Sequence, residues 1–198
     1  MRPSQRFFSF LTSITLMLCS FYVAATPEIT IHYKHIGFYG QTNQAITEQL
    51  SKQNPYFSQH QAFHNDNNWQ QGWTFITKEN ERGCKISHVN TWLKMDYNLP
   101  RWLDEQTAPA ELQLNWQDFY QGILMHLDGH KKIAIEALQK IEKAVLNLPL
   151  ANSCDAIKQQ ADAIAQQHIA NIRVVEAKYD QATQYGVSQG ALWLATKE

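Results

Sequence analysis

The chain has 198 residues, 44% of them hydrophobic, and a formal net charge of −1. That is enough for one compact domain with a real core, and it lacks the basic blocks that mark a nucleic-acid surface. Arg2 and Arg6 are the charges of the first 25 residues, so the remainder is slightly more acidic than the whole.

The two arginines precede an apolar run from Phe7 to Val23, and Val23-Ala24-Ala25 places small residues where a signal peptidase cuts. The segment reads as a secretory signal peptide cleaved after Ala25, leaving residues 26–198 as a single domain in the periplasm or outside the cell. A retained N-terminal anchor and a lipoprotein are the alternatives. The apolar run is short and broken by Ser and Thr, and "LMLCS" lacks the small residues that a lipid-modified Cys19 needs before it. No later stretch is long and apolar enough to span a bilayer. Of three cysteines, Cys84 and Cys154 remain after cleavage. In an oxidising compartment such a pair is expected to form a disulfide, the alternative being two buried thiols. Its loop of about 70 residues corresponds to about 4 kcal/mol at most in the chain-entropy picture.

Residues 28–38, "EITIHYKHIGF", are rich in β-branched and aromatic side chains and predict a strand. "TNQAITEQLSKQ" follows as a short helix with Thr42 as N-cap. Residues 53–71, dominated by Gln, Asn, His and Ser, predict a long exposed loop that holds His60 and His64. "GWTFITK" and residues 84–97 then alternate as two strands, with Gly83 in the turn between them and Pro100 expected to end the second. Val89, Thr91, Leu93, Met95 and Tyr97 share one face of that second strand. From about Pro109 to Leu148 the period becomes helical, through Trp116, Tyr120, Ile123, Leu127, Ala134, Leu138, Ile141 and Val145. A second long helix is predicted from about Ser153 to Gln184, stopped near Gly186. The expected architecture is α+β, a small antiparallel sheet followed by two long packed helices. Of six tryptophans, Trp69 beside the polar loop is expected to be the most exposed.

Within the first long helix, "GILMHLDGHKKIA" places His126 and His130 four residues apart. At about 100° per residue the two imidazoles lie about 40° apart and converge. Leu127 falls in the middle of the apolar stripe, whereas Asp128 lies about 200° from His126 and reads as a solvated residue. Gly129, in mid-helix at a cost close to about 1 kcal/mol, asks for a packing or site reason. The spacing fits two metal ligands on one helix face, but histidines so placed at the edge of an apolar stripe are more often hydrogen-bonded residues at the rim of the core.

The series "CKISHVNTWLKMDYNLPRW", "HLDGHKKIA", Cys154 and "YDQATQYGVSQGA" resembles a bacterial family of predicted secreted zinc-dependent proteases, defined mainly as a domain of unknown function. The resemblance covers about residues 28–192 and implies a zinc-metalloprotease-like scaffold. It places His126 and His130 at the two helical zinc-ligand positions, Gly129 at the family's glycine, and Cys84 and Cys154 at its cysteine pair. Tyr179, Asp180, Thr183 and Gly186 match the terminal motif. Two positions depart from the pattern. Leu127 stands where the family has its general-base glutamate, and Tyr185 stands where it has a terminal histidine, the candidate third ligand. A leucine can neither take a proton from zinc-bound water nor deliver one to a leaving amine, a loss of about two to four orders of magnitude in rate. A phenol must lose a proton with pKa about 10 to ligate well. The leading expectation is a metal-binding or protein- or peptide-interaction module with impaired or lost peptidase activity. The alternatives are a working zinc hydrolase with its base from Asp180 or Glu176 folding back, and a metal-free structural protein.

Overall fold

The computed structural model describes residues 26–54, 57 and 68–194. The expected signal peptide, and His60 and His64 of the expected loop over 53–71, lie outside these residues, whereas the end of that expected loop, from Asn68 on, belongs to a strand. The elements in order are β1 (Glu28–Phe38), α1 (Asn43–Gln53), β2 (Asn68–Asn80), β3 (Gly83–Trp102), α2 (Ala110–Leu146) and α3 (Cys154–Thr183), with 3-10 turns at Glu105–Thr107 and Val187–Gln189. The fold is α+β, and none of the described helices is long and apolar enough to cross a membrane.

The three strands are ordered β1-β3-β2. β2 and β3 form the expected antiparallel hairpin, with a bulge between Ile76 and Thr77. β1, however, pairs parallel to β3, from Glu28 opposite Trp92 to Phe38 opposite Trp102, so the sheet is mixed rather than antiparallel throughout. That pairing also carries β3 through Pro100 to Trp102, where the sequence pattern ends it. Proline lacks only the N–H, so pairing continues past it in the register Ile36–Pro100.

Alternation along β3 sets the layers. Val89, Thr91, Leu93, Met95 and Tyr97 are buried on the helix side, as the pattern predicts, and Leu99 continues that face. Trp92, on the open face, is 40% exposed and lies over Gly72, where a Cβ would come within 2.4 Å of the indole. Trp69 is instead partly buried against the core, so Trp92 is the more exposed of the two.

α2 buries its stripe of Trp116, Ile123, Leu127, Ala134, Leu138, Ile141 and Val145 beneath the sheet, with Phe119 taking the core position next to a half-buried Tyr120. Each fully buried large aliphatic here contributes about 1.5–3 kcal/mol. Residues 147–153 return the chain, and Ser153 caps α3 by accepting a hydrogen bond from Ala156 N at 3.2 Å. Two such helices joined by a short link pack antiparallel. The Cys84–Cys154 disulfide ties the first turn of α3 to the start of β3. Beside it, Cys84 and Ala151 exchange backbone hydrogen bonds of 2.8 and 2.9 Å.

α3 ends in an unusual turn. Gln184 and Tyr185, neither of them glycine, have φ of 51° and 54°, and Gly186 follows at 90°. Left-handed non-glycine residues cost about 1–3 kcal/mol each and persist only where the surroundings impose them. This turn reverses the chain so that Val187–Gln189 lies against α2. Trp193 then buries itself, its Nε1 donating to Asn43 Oδ1 at 2.7 Å.

Candidate metal centre

α2 presents His126 and His130 one turn apart on the face turned toward α3. α3 answers with Glu176, Tyr179, Asp180 and Thr183, whose three- and four-residue spacing puts them on a single face. The two histidines are each 2% exposed. Their Nε2 atoms are 3.2 Å apart. Asp180 Oδ1 lies 3.3 Å from the Nε2 of His126 and 3.0 Å from that of His130. Among the described residues, these three form a group of nitrogen and carboxylate ligands able to hold a metal ion.

The surroundings decide which way the rings are protonated. Glu176 Oε1 lies 3.2 Å from His130 Nδ1, and a carboxylate can only accept, so Nδ1 carries the proton. His126 Nδ1 lies 3.0 Å from Gln189 Oε1. The amide of Gln189 is oriented in turn by Tyr179, whose hydroxyl accepts from Gln189 Nε2 at 3.0 Å and donates to the His126 carbonyl at 3.1 Å. That leaves the Gln189 oxygen to receive the His126 Nδ1 proton. The network therefore assigns both imidazoles as Nδ1–H tautomers with their Nε2 lone pairs facing inward.

Three electron-rich atoms thus meet with no hydrogen among them when the rings are neutral. Asp180 Oδ1 is buried and makes no hydrogen bond, although two ring nitrogens stand beside it. A cation satisfies all three at once. Ligands held at about 2.0–2.2 Å with tetrahedral angles lie about 3.3–3.5 Å apart. The observed 3.0–3.3 Å triangle is slightly contracted from that spacing. The residues present therefore fit a metal, and outer partners such as Glu176 on His130 are the usual means of fixing a ligand's tautomer.

The charges respond to this convergence. Burial would lower the His130 pKa, but the carboxylates of Asp180 and Glu176 outweigh it and lift the ring to about 9. Burial would likewise raise Asp180, yet the two imidazoles hold it well below the usual carboxylate range. A proton can therefore stand in for a cation at this centre.

Gly129 finds its reason here. A Cβ at this position would come within 1.9 Å of the Tyr179 hydroxyl. The Tyr179 ring stacks on His126 at 5.1 Å with planes 10° apart and meets His130 edge-on at 5.0 Å. The mid-helix glycine is thus the space that lets Tyr179 reach the histidines.

The remaining sequence candidates fall elsewhere. Leu127 is 3% exposed in the core beneath β3, and its carbonyl accepts from the Tyr97 hydroxyl at 3.3 Å. Asp128 points to solvent, paired with Lys131 and Lys132 at 2.5 and 2.7 Å. Tyr185 sits two residues past α3 and is 39% exposed, and the third converging atom comes from Asp180. Asp180 and Glu176 do fold back onto the histidines, Asp180 into the triangle and Glu176 onto the outer edge of a ring. Both continue the face of the helix that buries Ile157, Ala161, Ala165 and Ile172, and it is the packing of that face on α2 that brings them to the histidines.

Comparison with curated proteins and with solved structures finds no match. A family model described as "Bacterial protein of unknown function (DUF922)" matches residues 33–186. That span takes in both histidines, the cysteine pair, Asp180 and the left-handed turn. The chain belongs to this bacterial family of unknown function.

Proposed function

We propose that this protein is a zinc-binding module of the periplasm or the cell exterior, built on a scaffold like that of zinc-dependent proteases but without effective peptidase activity. His126 Nε2, His130 Nε2 and a carboxylate oxygen of Asp180 hold the ion, with Asp180 in the role that the family resemblance gives to position 185. The observation that carries the reading is the convergence of three inward-facing ligand atoms, each imidazole fixed from outside by a hydrogen-bond acceptor. Two nitrogens and one carboxylate form a ligand set suited to zinc. The disulfide supports an oxidising compartment.

Bound zinc would supply charge neutralisation and, given an open position, acidify water. The chain's own residues favour the first use. Leu127 is locked in the core, Glu176 is engaged on the Nδ1 side of His130, and Asp128 is occupied by two lysines. Among the described residues these engagements leave no carboxylate besides the ligand Asp180 facing the centre. A cavity of about 240 Å³ reaches Glu176, on the outer side of His130, rather than the three ligand atoms themselves. The ion would join α2 to α3 and hold the binding-competent shape of the module.

The test is elemental analysis of the secreted, oxidised protein together with a casein and peptide cleavage assay under chelator control. The reading expects one zinc per chain, lost in His126→Ala, and no chelator-sensitive cleavage. Brisk cleavage abolished by chelator would overturn the non-peptidase assignment, and absence of metal with unchanged stability in His126→Ala would overturn the zinc assignment.

A further inference from the structure

β1 is a long free edge. It pairs on one side with β3, and on its other side no described strand meets its 11 residues. Proteins usually blunt such edges with bulges, prolines, charged side chains or covering elements, because a row of unpaired N–H and C=O groups is a template for another strand. The opposite edge, β2, carries a bulge at Ile76/Thr77. β1 has no proline within it, and α2 packs chiefly beneath β3, so β1 overhangs the helix layer. A cavity of about 560 Å³, lined by Ile31, Tyr33, Leu124 and Met125 among others, runs under the overhang.

The side chains of β1 are complementary to themselves. Glu28, Thr30, His32 and Lys34 share the open face of the sheet, and Ile29, Ile31 and Tyr33 share the helix side. In an antiparallel pairing of two β1 strands about a two-fold axis at Ile31, Glu28 stands directly opposite Lys34 twice over. Ile29 stands opposite Tyr33 twice, and Ile31 faces its own copy. Residues directly opposite in an antiparallel pair point to the same face, so every one of these pairs is in contact. Glu28 and Lys34 are exposed and have no ion-pair partner among the described residues. Ile29 and Tyr33 are among the exposed large apolar side chains, at 41% and 55%. The register thus satisfies two unpaired charges, covers two exposed apolar groups and uses the open backbone edge in one operation.

We infer that β1 is a homodimerisation edge. Two copies join through antiparallel β1–β1 pairing centred on Ile31, making one six-stranded sheet with both helix layers on the same side. The interface is isologous and closes on itself, so it yields a dimer rather than a fibre. It is independent of the metal centre.

Sedimentation velocity on the mature chain, with and without charge reversals, tests this. Lys34→Glu and Glu28→Lys each place like charges opposite one another at two sites and should weaken the dimer by about tenfold or more. The Glu28→Lys/Lys34→Glu double variant recreates the pairs in reverse and should recover wild-type association to within about threefold. Both positions are exposed, so circular dichroism and zinc content should stay unchanged. Amide exchange in residues 28–34 should slow as concentration rises. A protein that stays monomeric at about 100 μM, or a dimer indifferent to both single reversals, would overturn the inference.

Discussion

At His126 and His130 each ring keeps one nitrogen for the protein and offers the other to the centre, and the groups that enforce this are as informative as the ligands. Glu176, Gln189 and Tyr179 add no atom to the converging triangle, yet together they fix both tautomers. Gly129 belongs to the same arrangement through Tyr179. Gly129→Ala should cost about 1–3 kcal/mol despite the better helix propensity of alanine, because the overpacking outweighs the propensity gain. In a Tyr179→Ala background the same change should be nearly neutral or stabilising. A double-mutant cycle by urea unfolding reads this, and equal costs in both backgrounds would refute the contact. The sequence raised the question of this glycine but could not answer it, since its partner lies 50 residues away on another helix. The histidine pair was legible because both members sit on one helix. Asp180 was visible only as one of two acids on the later helix able to fold back, because helix docking rather than spacing brings it to the site. Leu127 was read correctly as part of the core, and its burial adds a consequence. Leu127→Glu should destabilise the fold by about 3 kcal/mol or more rather than restore proteolysis, as it buries an unpaired carboxylate. Its melting curve and peptidase rate check both halves.

Among the elements, helices and the β2–β3 hairpin follow from periodicity and turn chemistry, and the structure places them within a few residues of the pattern. What periodicity cannot express is the partner of β1. Its pairing with β3 joins residues 64 apart in sequence and is parallel, and nothing local in "EITIHYKHIGF" distinguishes that from an antiparallel neighbour. The length of β3 was hidden for the same reason, as its last turns of pairing depend on β1. The disulfide acts at this scale too. It fixes the N-terminal end of α3 to the sheet, while the contacts of Asp180 and Glu176 with His126 and His130 join the other end to α2. Reduction should lower stability by about 4 kcal/mol or somewhat less, the loop-closure value for a separation of 70 residues. Denaturant melts of oxidised and reduced protein measure it, and an unchanged midpoint would contradict the clamp.

For the whole molecule, the site makes stability depend on pH in a way that metal should reverse. In the metal-free protein His130 is raised to about 9. A raised folded pKa adds stability that is fully present below the unfolded value of about 6.5 and is lost as pH climbs through about 9. Asp180 is depressed, so its contribution is present above about pH 4 and is lost as pH falls further. Chelated protein should therefore melt highest between about pH 4 and 6.5 and weaken on the alkaline side. With zinc bound the His130 lone pair is occupied, the alkaline loss should vanish, and affinity should fall as protons compete in acid. Melting temperatures across this range, with chelator and with zinc, separate the two curves. Curves that stay parallel would mean that the proton and the ion do not share a place.

The most direct measurement is a calorimetric zinc titration of chelator-stripped protein, wild type beside Asp180→Ala, Tyr185→Phe and Glu176→Gln. The account predicts one site in the wild type, its loss in Asp180→Ala, near-wild-type binding in Tyr185→Phe, and affinity reduced by about 10–100-fold in Glu176→Gln. Binding that survives Asp180→Ala but fails in Tyr185→Phe, or no binding by folded wild-type protein, would contradict it.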